Sequence, residues 1–173
     1  MIVAMAGLPG TGKSTLARRL AIELTGAVID KDAVRNALFP DRWTEYNTDQ
    51  DDFVLTLMLR AAEWLVVRQQ CPAVIIDGRT FSQSYQLDLV RQTAAKLERE
   101  LRIIECVCDS TLSLDRIRKD ANEHKARNRN EDLYWRMQAC FEPIPFPKLI
   151  VDTGRPFDLA RITDALSHSY VAE

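Results

Sequence analysis

The chain has 173 residues, 46% of them hydrophobic and 28% charged, with a formal net charge of −2 and an isoelectric point near 5.8. That is the composition of an ordinary globular chain, long enough for one domain with a sizeable core. It gives no general attraction to nucleic acid or anionic membranes, and the apolar N-terminus is too short to span a bilayer and runs straight into a glycine loop, so a cytoplasmic protein is expected.

In chain order, an apolar run over 2–6 predicts strand 1, and Leu16, Leu20 and Leu24 recur at helical spacing behind it. Gly26 closes that helix, 27–30 reads as strand 2, and 31–38 as a short helix at its carboxyl end. Thr48 is the expected N-cap of a long helix whose core stripe would be Phe53, Leu57, Ala61, Trp64 and Leu65. Asp49, Asp51 and Asp52 fall in its first turn, where negative charge suits the helix dipole. The continuously apolar 73–77 is strand 3, as in a parallel sheet covered on both faces.

Ser82 is the expected cap of a helix carrying Leu87, Val90, Ala94 and Leu97, and 101–108 is strand 4. A helix over about 111–121 leads into a basic stretch, Arg116 to Arg129, and a further helix over about 131–141 would turn Leu133, Met137 and Phe141 inward. The proline-rich 143–147 is stiff and extended. It precedes strand 5 (149–152) and a last helix capped by Asp158. Cys71, Cys106, Cys108 and Cys140 lack metal-ligand spacing and are expected to be reduced core thiols. Alternating strands and helices imply an α/β fold of three layers: a five-stranded parallel sheet with helices on both faces and a lid at about 116–130.

Gly7-Leu8-Pro9-Gly10-Thr11-Gly12-Lys13-Ser14, followed by Thr15, fits G-x-x-x-x-G-K-[ST] between a strand and a helix. Such a loop turns successive backbone N–H groups onto one anion, aided by the helix N-terminus. It predicts binding of a nucleoside triphosphate, ATP with Mg²⁺. Lys13 would reach the β- and γ-phosphates and the Ser14 hydroxyl would bind the metal.

On a parallel sheet, ligands bind at the carboxyl ends of the strands, so the residues just past each strand carry the next expectations. Asp77 ends strand 3 and suits the second Mg²⁺ position. Asp32 and Arg35, three apart on the short helix, can face the phosphates together, the carboxylate to take a proton from an attacking hydroxyl and the guanidinium to hold the acceptor. Asp30 is the competing carboxylate. Arg127 and Arg129 in the basic connector would neutralise charge on the transferring group, and Arg116 would touch the adenine or the α-phosphate. His124, within the same stretch, is expected to be solvated. Tyr46 and Arg79 would line the acceptor pocket.

These residues resemble those of the P-loop kinases grouped near adenylylsulfate, shikimate and gluconate kinases and the kinase domain of phage polynucleotide kinase. The likeness to the predicted-kinase "AAA domain" group is especially close and covers essentially the whole chain. Asp32-Ala33-Val34-Arg35 is similar to the D-x-x-R that follows strand 2 in adenylylsulfate and polynucleotide kinases. The resemblance implies a general base at Asp32 and an acceptor-side arginine at Arg35. Ile76-Asp77-Gly78 is similar to the strand-3 acid. His124 to Arg129, Leu133-Tyr134 and Phe141 to Ile144 look like a lid and its exit. Thr153 and Gly154 would flank the adenine.

The aromatic and lysine-bearing lid segment of adenylylsulfate kinase has no counterpart here, which weakens a sulfate-activation role. The expectation is an ATP-dependent kinase acting on a hydroxyl of a small molecule. A 5′-hydroxyl polynucleotide end is the alternative, less favoured by the mildly acidic chain. A nucleotide-binding switch without an acceptor is the alternative of another class.

Overall fold

A computed structural model describes residues 1–120 and 130–168. Its elements are β1 (Ile2–Ala6), α1 (Lys13–Glu23), β2 (Ala27–Asp30), α2 (Lys31–Leu38), α3 (Thr48–Arg68), β3 (Val74–Asp77), α4 (Ser84–Lys96), β4 (Leu101–Val107), α5 (Ser110–Asp120), α6 (Glu131–Ala139), β5 (Leu149–Asp152) and α7 (Leu159–Ser167). The five strands form one sheet in the order β2-β3-β1-β4-β5. Every pairing is parallel.

The central strand shows why the sheet is covered twice. Alternate residues of a strand point to opposite faces. Ile2, Ala4 and Ala6 of β1 join a core with Val54, Met58, Ala62, Leu87 and Val90, contributed by α3 and α4. Val3 and Met5 join a second core with Leu16, Leu20, Ile162 and Leu166, contributed by α1 and α7. The strand has no wet face, so its sequence is apolar throughout rather than alternating. The strand order reverses at β1, which leaves its carboxyl end and the loop after it in the crevice between β3 and β4.

The structure corrects several expectations of detail. The buried stripe of α3 is Val54, Leu55, Met58, Leu59, Ala62 and Val66, whereas Phe53 and Trp64 are more than half exposed. Apolar residues run round more than half of this helix, so helical spacing alone fits two stripes one position apart. Asn47, not Thr48, caps α3, its side chain accepting from the Gln50 N–H at 2.9 Å. Ser82 is buried ahead of α4 rather than capping it. The carboxylate of Glu142 accepts from the Ser84 N–H at 2.9 Å instead, so a residue far along the chain starts this helix. In α6 the buried residue is Tyr134, packed with Leu114 and Ile117 of α5, while Leu133 and Met137 face a cavity. All four cysteines are free thiols, but only Cys106 is buried and Cys140 is exposed. Asp158 caps α7 as expected.

Candidate active site

The loop between β1 and α1 wraps around its own lysine. Lys13 Nζ donates to the carbonyls of Gly7 and Leu8, both at 2.7 Å, and the Thr11 hydroxyl donates to the Leu8 carbonyl at 2.8 Å. Gly10 sits at φ +81°, where a side chain would be strained, and a Cβ there would lie 2.4 Å from the carbonyl oxygen of Ser113. The loop therefore lies directly on the start of α5.

Arg116 locks this arrangement from outside. Its guanidinium donates to the Gly10 carbonyl (3.2 Å), the Thr153 hydroxyl (3.2 Å) and the Thr153 carbonyl (2.9 Å). The Thr153 hydroxyl in turn donates to the Thr11 carbonyl at 2.8 Å. Arg116 and Thr153 thus tie the glycine loop to the end of β5, and both line the cavity in front of it. Gly154, one residue further on, is exposed. A guanidinium with two such rigid partners is a fixed wall of that cavity rather than a mobile arm.

Asp77 lies behind the loop with 1% of its surface exposed. Burial pushes its carboxyl above the ordinary carboxylate range, against the opposing pull of hydrogen bonds from Ser14 and the Gly78 N–H and of the Lys13 charge. Its Oδ1 has no hydrogen-bond partner among the described residues. A buried carboxylate oxygen without a partner beside a serine hydroxyl is a hard-oxygen pair of the type that holds Mg²⁺, and Ser14 and Asp77 fit that ion.

The side expected to hold the acceptor is built from α2, α3 and the turn after β3. Asp30 is used locally, its Oδ1 accepting from the Asp32 and Ala33 N–H groups at 2.9 and 3.0 Å to cap α2. That cap fixes the register of the helix and sends Asp32 and Arg35 to one face. Arg35 is 2% exposed, with one terminal nitrogen on Asp32 and the other on Asp51 at 2.7 Å. The ring of Tyr46 stacks on it at 4.8 Å. Lys31 pairs with Asp51 at 2.8 Å and lies 3.5 Å from Asp32. Arg79 is buried and paired with Asp52, which also accepts from the Tyr85 hydroxyl at 2.7 Å.

These parts meet in one place. A cavity of about 880 Å³ is lined by Lys13, Ser14 and Thr15 together with Asp32, Arg35, Tyr46 and Arg79. Asp32 thus lines the same cavity as the glycine loop while buried and ion-paired with Lys31 and Arg35. Arg127 and Arg129, with His124, lie outside the described residues, and the expected lid is described only over 116–120 and at 130. Sequence reasoning missed Asp51 as a member of this wall and Asp52 as the partner of Arg79, reading both as charge at a helix start. It also missed Lys31 and Gln86. The available signal was that Arg35 and Arg79, both expected in a pocket, had no assigned counter-charges.

The residues 2–144 match the family model described as an AAA domain, AAA_33. The chain belongs to that family. Among solved structures it is similar to Kti12 of Chaetomium thermophilum in complex with ADP-AlF3, with 12% identity, a TM-score of 0.73, and coverage of 96% of this chain and 97% of that one. It is also similar to the Mycobacterium tuberculosis APS kinase CysC in complex with AMPPNP and APS (18% identity, TM-score 0.64, 96% and 97% covered). A third is a gluconokinase of Sinorhizobium meliloti (15% identity, TM-score 0.63, 94% and 86% covered). A comparison with curated proteins found no match. At these identities the likeness establishes the P-loop kinase fold. No described helix is long and apolar enough to cross a membrane.

Proposed function

We propose that this protein is an ATP-dependent kinase that transfers the γ-phosphoryl group to a hydroxyl of a small molecule. The observation that carries the reading is that one cavity is lined both by the glycine loop with Lys13 and by a carboxylate held by an ion pair, Asp32. A nucleotide switch needs the first and has no use for the second.

In this reading the triphosphate lies on the N–H groups of 7–15, and Lys13 gives up its loop carbonyls for the β- and γ-phosphates. Ser14 and Asp77 would hold Mg²⁺, which would supply positive charge to offset that of the triphosphate. Arg116 and Thr153 hold the loop rigid and border the nucleotide. The acceptor oxygen forms a bond to the γ-phosphorus as the bond to the β-bridging oxygen breaks. ADP leaves, and the acceptor proton passes to the Asp32 carboxylate. Arg35, buried between Asp32 and Asp51, is a positioning residue that fixes the angle of the base. Arg127 and Arg129 are the proposed cations on the transferring group.

The test is transfer of label from γ-labelled ATP across sugars, polyols, nucleosides, amino acids and 5′-hydroxyl oligonucleotides. The expected outcome is labelled product from a small hydroxyl compound. Hydrolysis that no acceptor accelerates would overturn the kinase reading in favour of a switch, and transfer only to oligonucleotides would replace the acceptor class.

A further inference from the structure

The wall around Asp32 is rich in cations, but they are already matched. Lys31, Arg35 and Arg79 face Asp32, Asp51 and Asp52 in five close pairings, so three positive and three negative side chains cancel. An anionic acceptor entering here meets no uncompensated cation from this group, and the other cations of the cavity, Lys13, Arg18, Arg19, Arg116 and Arg136, belong to α1, α5 and α6. It would also meet the Asp51 carboxylate beside the base. Burying an anion against such a wall is strongly unfavourable.

Two side chains of the same wall nevertheless have hydrogen-bonding capacity left over. Arg79 is 5% exposed and uses NH2 on Asp52, while its Nε and NH1 have no partner among the described residues. Gln86 is 4% exposed, and its Oε1 likewise has none among them. Both line the cavity. They are held rigidly, because the Tyr85 hydroxyl donates to Asp52 at 2.7 Å and accepts from Gln86 Nε2 at 3.5 Å. Buried polar atoms without partners are costly and rare in folded proteins, so unfilled donors and an unfilled acceptor on one fixed chain point to a ligand.

The ligand must offer an acceptor to Arg79 and a donor to Gln86 while carrying no net charge. A hydroxyl group does both at once. A carboxylate or phosphate satisfies Arg79 but places its charge and lone pairs against Gln86 Oε1. We propose, resting on the kinase reading above, that the phosphoryl acceptor is an uncharged polyhydroxyl compound of the sugar or polyol class. One hydroxyl is clamped between Arg79 and Gln86, and another is presented to Asp32.

The test compares matched acceptors with γ-labelled ATP: glucose with gluconate and glucose 6-phosphate, galactose with galacturonate, and glycerol with glycerate. The uncharged member of a pair is expected to show kcat/KM at least tenfold above its charged partners. Gln86→Leu should lower that value tenfold or more while leaving the KM for ATP within threefold. Asp52→Asn, which removes the counter-charge of Arg79, should narrow the gap between neutral and anionic members. Preference for the anionic member, or a Gln86→Leu enzyme with unchanged acceptor kinetics, overturns this inference and leaves the kinase reading standing. Label in none of these compounds but in a nucleoside, amino acid or oligonucleotide also overturns the inference alone. Label in no acceptor of any class overturns both.

Discussion

Asp77 offers the sharpest separation of binding from folding. Its buried Oδ1 makes no hydrogen bond among the described residues and its carboxyl is pushed upward by burial. Leaving such a group unsatisfied costs the folded chain about 1–3 kcal/mol. Asp77→Asn removes the charge and keeps an oxygen for the Ser14 and Gly78 donors, but it brings an amide N–H₂ into the same tight space. The net gain is therefore expected at the low end, about 1 kcal/mol, or a rise of roughly 2–4 °C in Tm for a chain of this size.

The gain has a pH window. A carboxyl whose folded pKa is raised stabilises the fold below its unfolded value and loses that contribution as pH rises through the folded value. Wild type is thus penalised at neutral pH, and the advantage of the asparagine variant shrinks to nothing below about pH 4. The assay is thermal unfolding of both proteins at pH 7.5 and pH 4, without ligand and with Mg²⁺ plus AMPPNP. The variant should melt higher alone at pH 7.5 and lose most of the Mg²⁺-dependent shift. A variant that melts lower alone at pH 7.5, or keeps the full Mg²⁺-dependent shift, refutes the reasoning.

Three further outcomes follow from the packing. Gly10→Ala should abolish nucleotide-induced stabilisation, because its Cβ meets the Ser113 backbone at 2.4 Å and φ +81° disfavours any side chain; a normal thermal shift with AMPPNP would contradict this. Arg116→Met should lower Tm and weaken nucleotide binding at least tenfold in calorimetry, since three bonds to Gly10 and Thr153 are lost together. Met58→Ala should cost about 2–5 kcal/mol in denaturant unfolding, whereas Trp64→Ala should stay within about 1 kcal/mol, because Met58 is fully buried and Trp64 is 58% exposed.

The parts of this protein that were legible in its sequence are those set by local chemistry. The glycine loop, the apolar parallel strands and the acid at the end of β3 each follow from a requirement felt within a few residues. The misread parts depend on partners distant in the chain. The face of α3 is chosen by its packing against α2, α4 and β3, and apolar spacing alone permits a neighbouring stripe. The start of α4 is satisfied by Glu142, 58 residues away from Ser84. Asp51 and Asp52 read as helix-start charge because Arg35 and Arg79, which they neutralise, lie 16 and 27 residues from them. Arg116 shows the same limit: its place on a helix was legible, but its bonds to Gly10 and Thr153 were not.

The central claim is that Asp32 accepts the acceptor proton in a cavity shared with the phosphate-binding loop. It is tested most directly by Asp32→Asn, with Arg35 still held by Asp51, scored for phosphoryl transfer and for nucleotide binding in the same preparation. The account predicts transfer down about 10²–10⁴-fold with the AMPPNP affinity within threefold of wild type. Transfer at the wild-type rate, or loss of nucleotide binding in parallel with transfer, would contradict it.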